Sequence, residues 1–182
     1  VKLLNPLRTD LDVMRQTLLF GGLESIAHNV NRRSADLAMY EFGQVYRLDP
    51  AAASTAEAPL APFGEKGRVA LWLTGNLRRA NWARQAEEAT YFDLKACVAN
   101  ILARLGLAND GLRLETLAGD AVPDIFAAAQ AVKTRSGKLL GHLGILSRKL
   151  LAAADIKQEV VYAELEWDEL VKMAVKAKVE FI

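Results

Sequence analysis

The chain has 182 residues, 52% apolar and 25% charged, which suits one domain with its own core and is marginal for two. Its 23 basic and 22 acidic residues leave a net charge of +1, so no overall field draws it to nucleic acid, acidic substrates or anionic membranes. It has no long uninterrupted apolar run, and VKLLNPLRTD lacks the order of a signal peptide, so a soluble, cytoplasmic protein is expected.

Opening at Val1 inside an apolar stretch and closing on the strand-like VEFI, the chain reads as a piece of a longer one. Lys2 to Leu4 suggest a strand ended by Asn5-Pro6, because proline cannot donate to a ladder. A helix should follow, capped by Asp10 with Asp12 in its first turn. Leu11, Met14, Leu18, Leu19, Leu23, Ile26, Ala27 and Val30 recur at helical spacing, and Arg32 and Arg33 suit its carboxyl end. Gly21-Gly22 inside it points either to a close approach by another backbone or to a kink. Residues 37–48 read as a strand, 51–65 as a mobile loop and 68–74 as a buried strand ended by Gly75-Asn76. The polar stretch 77–89 is a connection.

The spacing of Leu94, Cys97, Val98, Ile101, Leu102 and Leu105 predicts a second helix from about 91 to 105. Thr90 and Asp93 form its capping box and Gly106 its stop. Residues 112–117 alternate as a strand, and 129–134 with 139–146 form a hairpin turning at Arg135-Ser136-Gly137-Lys138. A short helix, 148–154, then a strand, 160–166, and a last helical stripe from Trp167 complete a single domain, 1–182. Hairpins and long connections, with helices between only some strands, predict an α+β fold with an antiparallel sheet covered by helices.

Few residues point to chemistry. Ser136-Gly137-Lys138 lacks the spacing of a phosphate loop and is read as a turn. His28 and His142 have no second ligand at a metal spacing, so no metal site is expected. Cys97, the single cysteine, excludes an internal disulfide and sits on an apolar helix face, where it is read as a small hydrophobe. Glu164, Glu166, Asp168 and Glu169 form an acidic cluster, with the first two on the outer face of a strand and read as solvated. Arg78, Arg79 and Arg84 around Trp82 suit RNA by charge and stacking, although Glu87 and Glu88 offset them.

Residues 5–32, NPLRTDLDVMRQTLLFGGLESIAHNVNR, resemble the β subunit of bacterial phenylalanine–tRNA ligases, in which N-P-L is followed by M-R-x-[ST]-L-L-x-G-L and N-x-x-R. The resemblance continues through YEFGQVY (40–46), LTGN (73–76) with Asn81-Trp82, YFDLKA (91–96), GHLGIL (141–146) and VYAELEWDELV (161–171). Two places depart from the family pattern: Phe20 stands at a proline position, and residues 124–131, DIFAAAQA, replace a His-Pro-Gly stretch.

That resemblance implies a class II synthetase-like domain without activity, which supports the catalytic α subunit in an (αβ)2 heterotetramer. ATP, magnesium and tRNA(Phe) are implied for the whole ligase, with no cofactor or catalytic residue in this segment. Class II ligases hold ATP with an arginine in a strand-then-helix motif resembling G-L-G-I-D-R-L. Here Glu164-Leu165-Glu166-Trp167-Asp168-Glu169-Leu170 stands in its place, with glutamates at both glycines and at the arginine. Against this, Gly43 to Asp49 resembles the other class II motif, in which an arginine before an acid grips the α-phosphate. Arg47 and Asp49 are therefore a candidate nucleotide-binding remnant, and a degenerate nucleotide site and an RNA-binding module stay open as alternatives.

Overall fold

A computed structural model describes residues 13–49, 51–52, 55, 60–78, 80–107 and 112–176. The expected strand at 2–4, the caps Asp10 and Asp12, much of the 51–65 loop, Arg79 and the terminal VEFI lie outside them.

Six strands form one sheet: β1 Leu37–Leu48, β2 Phe63–Thr74, β5 Arg113–Thr116, β6 Phe126–Lys133, β7 Leu139–Leu146 and β8 Val160–Glu166. Their order is β1-β2-β8-β7-β6-β5 and every neighbouring pair is antiparallel. Between them, β3 Asn76–Arg78 and β4 Glu87–Glu88 make a separate small hairpin where the sequence suggested only a polar connection. The last of the described strands, β8, is thus central, and it is flanked by β2 and β7.

Alternation along β2 and β8 sends side chains to two cores. Ala70, Trp72, Val160 and Tyr162 join one face with α1 (Leu19–Val30) and α3 (Arg148–Ala153). Val69, Leu71, Leu73, Val161, Ala163 and Leu165 join the other with α2 (Tyr91–Arg104) and α4 (Trp167–Lys176). The result is a sheet between two layers of helices, the α+β architecture expected from the sequence. Among the described residues, no helix is long and apolar enough to cross a membrane.

The first helix starts at Leu19, later than its periodicity predicts. The preceding residues are spent on β1: the Arg15 carbonyl accepts from the Tyr46 N–H (2.8 Å), and the Arg15 Nε donates to the Gln44 carbonyl (2.9 Å). Thr17 Oγ1 then accepts from the Leu19 N–H (3.1 Å), close to the role expected of Asp10. Tertiary hydrogen bonds override local spacing here.

Gly21-Gly22 neither breaks α1 nor meets another backbone. A Cβ at Gly22 would lie 2.2 Å from the Trp72 indole, whereas one at Gly21 would meet nothing within 4 Å. The close approach is to an aromatic side chain, and only the second glycine needs it. At the end of α1, Arg32 Nη1 reaches the His28 carbonyl (3.3 Å), as the expected basic carboxyl end requires.

β2 begins at Phe63, inside the stretch expected to be loop, because all twelve residues of β1 have a partner on it. Thr90 and Asp93 do form a capping box on α2. Gly137 takes the positive φ (84°) that its hairpin turn requires.

Candidate functional site

On the α1 side, the sheet is apolar where α1 covers it and charged beyond. Along β2 the face runs from Trp72 and Ala70 to Arg68 and Lys66, and along β8 it runs from Tyr162 to Glu164 and Glu166. A cavity of about 430 Å³ opens over the charged end, lined among others by Thr17, Arg47, Arg68, His142, Glu164 and Glu166.

Its two carboxylates are already engaged. Glu166 accepts from Arg68 Nη2 at 2.9 Å, and Lys66 Nζ stands 3.4 Å away. Both members of the closer pair are largely buried, with side-chain exposures of 11% and 14%, so solvent screens them little. Glu164 Oε2 accepts two hydroxyls at 2.5 Å, from Thr17 and from Tyr162. Burial pushes the Tyr162 phenol far above its ordinary range and the Glu164 charge adds to this, so the hydroxyl keeps its proton and donates.

His142 lies beside them, paired across the ladder with Glu164. Burial lowers its pKa, the positive charges of Arg68 and Lys133 lower it further, and Glu164 opposes them in part. The imidazole is therefore neutral near pH 7.

Of the remnant pair, the structure brings only Arg47 to the cavity. Asp49 is used in a turn: its N–H donates to the Pro62 carbonyl (2.7 Å), and its carboxylate accepts from the Ala51 N–H (3.0 Å). The acidic cluster is likewise divided, because Glu164 and Glu166 face the cavity rather than open solvent, which corrects the solvated reading. Asp168 instead accepts from the Gly67 N–H at 2.7 Å, and Glu169 holds Lys138 and Lys172. Those two lysines keep the Glu169 carboxyl down at about 2.

The remaining candidates have structural uses. His28 contacts Arg32 (2.9 Å) on the exposed side of α1, and Cys97 is half-buried against the core under α2. Arg78 is paired with Glu87 at 2.6 Å, while Trp82 stands 99% exposed on the turn Asn81 to Arg84. Among the described residues, no group of three His, Cys, Asp or Glu side chains is placed to hold a metal ion. Sequence reasoning missed Arg68, Lys66 and Thr17. Arg68 had a signal, since it is the one charge in RVALWLT, an otherwise apolar strand.

The strand-then-helix passage from Glu164 to Leu170 does occur, as β8 running directly into α4. At the sheet positions where the class II motif has glycines, carboxylates face the cavity. The cavity thus brings together two hydrogen-bonded carboxylates, the ion-paired Arg68 and the exposed Arg47.

Comparison with known proteins bears on the family and the fold. The family model described as "Phenylalanyl tRNA synthetase beta chain CLM domain" matches residues 1–167. The phenylalanine–tRNA ligase β subunit of Bacteroides thetaiotaomicron is 48% identical over 181 residues, covering 100% of this chain and 22% of that protein. Its counterpart in Porphyromonas gingivalis is 43% identical, covering 99% of this chain and 21% of its own length. This chain therefore spans about a fifth of these relatives. In fold it is similar to pyrrolysyl-tRNA synthetase from Desulfitobacterium hafniense, with a TM-score of 0.63 at 13% identity, over 90% of this chain and 50% of that one. The architecture is that of a class II synthetase, and the chain belongs to the family of phenylalanyl-tRNA synthetase β chain CLM domains.

Proposed function

We propose that this chain is a non-catalytic structural domain of a phenylalanine–tRNA ligase β subunit. In this reading it forms a single unit in a cytoplasmic (αβ)2 heterotetramer and supports the α subunit, which attaches phenylalanine to tRNA(Phe). ATP and magnesium then belong to the α subunit's site.

The observation that carries this reading is the pair Glu164 and Glu166 on the cavity face of β8. A carboxylate beside a polyphosphate costs about 1 kcal/mol per close pair in water and several times more where partly buried. Releasing Arg68 to bind phosphate instead would leave the largely buried Glu166 with only Lys66, half-exposed at 3.4 Å, as its partner.

A supporting role needs a surface to dock. Beyond the cover of α2 and α4, Tyr40 and Phe42 on β1 are 72% and 53% exposed, and Phe42 lies edge-to-face on Trp167 at 4.7 Å. These aromatics on a sheet edge suit the centre of a protein interface.

Calorimetric titration of the chain with ATP and magnesium tests the inactive half of the proposal, with Arg47→Ala as control. The expected result is no saturable heat for either protein. Saturable binding lost in the variant would instead establish a working nucleotide site at Arg47.

A further inference from the structure

The two outer strands of the sheet differ in how their free edges are protected. β5 has four residues and carries Arg113 and Glu115, which suits an edge that meets water. β1 has twelve, and it pairs with β2 from Leu37 to Leu48 without a bulge. An ordinary strand has about five or six. Leu37 to Phe42, LAMYEF, holds no proline and no basic residue, and its one charge, Glu41, is paired with Arg15 at 2.7 Å.

The far half of the β1 edge is covered from within the chain. The Arg15 carbonyl accepts from the Tyr46 N–H, and the Arg15 Nε donates to the Gln44 carbonyl. Main-chain groups point to one edge at every second residue, so those of Ala38, Tyr40 and Phe42 face outward with those of Gln44 and Tyr46. Among the described residues, nothing bonds them. Tyr40 and Phe42 also stand in an edge-to-face row with Trp167, at 6.0 Å between the first two rings and 4.7 Å between the last two.

A row of unmet main-chain donors and acceptors calls for an extended strand, because a helix has already spent its own on itself. Arg15 limits that strand to the length of Leu37 to Phe42. We propose that an extended segment of the α subunit adds to the sheet here, bonding the main chain of Ala38, Tyr40 and Phe42. Its apolar side chains lie on the row of Tyr40, Phe42 and Trp167, and the sheet continues across the subunit boundary. The proposal rests on the docking role given above to these aromatics and names main-chain pairing as its mode. An unprotected edge pairs with any free strand, so a partner that stays bound, as a subunit does, is the occupant that suits it.

The test is amide hydrogen exchange on the full-length β subunit, alone and in complex with the α subunit, read at Ala38, Tyr40 and Phe42. Exchange at these three is expected to slow by roughly tenfold or more in the complex. Met39 and Glu41, whose main chains face β2, should change less. Ala38→Pro removes one outward N–H and leaves both aromatics and the β2 ladder in place, so it should weaken association in sedimentation by roughly tenfold. Circular dichroism checks that this variant keeps the fold, and if it does not, the exchange measurement on the unaltered subunits decides alone. Amides that exchange equally fast in the complex would overturn strand addition. The docking reading would survive that result if Tyr40→Asp with Phe42→Asp still weakens association, and would fall with it otherwise. Protection already present in the β subunit alone would also overturn the proposal, assigning the edge to another part of that subunit or, if it depends on concentration, to a second copy.

Discussion

Gly21 and Gly22 are adjacent, and their local sequence does not distinguish them, yet the fold uses them differently. A methyl group at Gly22 has to displace the Trp72 indole, which is itself 1% exposed and surrounded by α1 and β8. Gly22→Ala is therefore expected to cost about 1–3 kcal/mol in a denaturant melt through overpacking. Gly21→Ala has open space and should gain about 0.5–1 kcal/mol from helix propensity. Equal effects at the two positions would contradict the packing described. His142 carries a pH signature of definite sign. Its pKa is lowered from 6.5 by folding, so below pH 6.5 the unfolded chain binds a proton that the native state refuses. Stability should fall as pH drops below 6.5 toward the native-state pKa and be insensitive to this group above 6.5. His142→Gln should flatten that slope in melts recorded across the range. The histidine was visible in the sequence, but its burial was not, because neighbouring Gly141 and Gly144 hide the alternation that would have placed it on the cavity face.

Elements with complete local signals were legible. α2 has its capping box in sequence and in structure, with the Thr90 N–H donating to Asp93 at 2.9 Å. Thr90→Ala should cost about 0.5–2 kcal/mol, measured by thermal or denaturant unfolding, and no change would mean that the box is idle. The 139–146 strand and its turn were equally readable, because glycine at a positive φ and apolar strand residues agree there. α1 was misjudged at its start because Arg15 is committed to Gln44 and to Glu41 (2.7 Å), partners far away in sequence. β2 was begun too late for a related reason. Phe63 to Gly67 is not apolar enough to announce a strand, and it becomes one through pairing with β1. The cavity was readable only in part. Arg47, Glu164, Glu166 and His142 were all singled out, but three separate strands bring them together, and no spacing along the chain encodes that.

At the scale of the whole molecule, two cores stabilise one central sheet, and two of the surfaces they leave uncovered are the charged cavity on the α1 face and the aromatic edge of β1 on the other. The first is lined by two arginines and two glutamates, and the second presents exposed aromatic side chains of the kind found at an interface core. If the domain supports its partner through contact and takes no part in the reaction, activity must follow assembly. The measurement that tests this most directly combines sedimentation and phenylalanine-dependent ATP–pyrophosphate exchange. It is made on the full-length β subunit carrying Tyr40→Asp and Phe42→Asp, mixed with the α subunit. The account predicts that association weakens by at least tenfold, and that exchange falls in the same proportion and recovers when subunit concentration is raised. Loss of exchange in a fully assembled complex, or unweakened association, would contradict it.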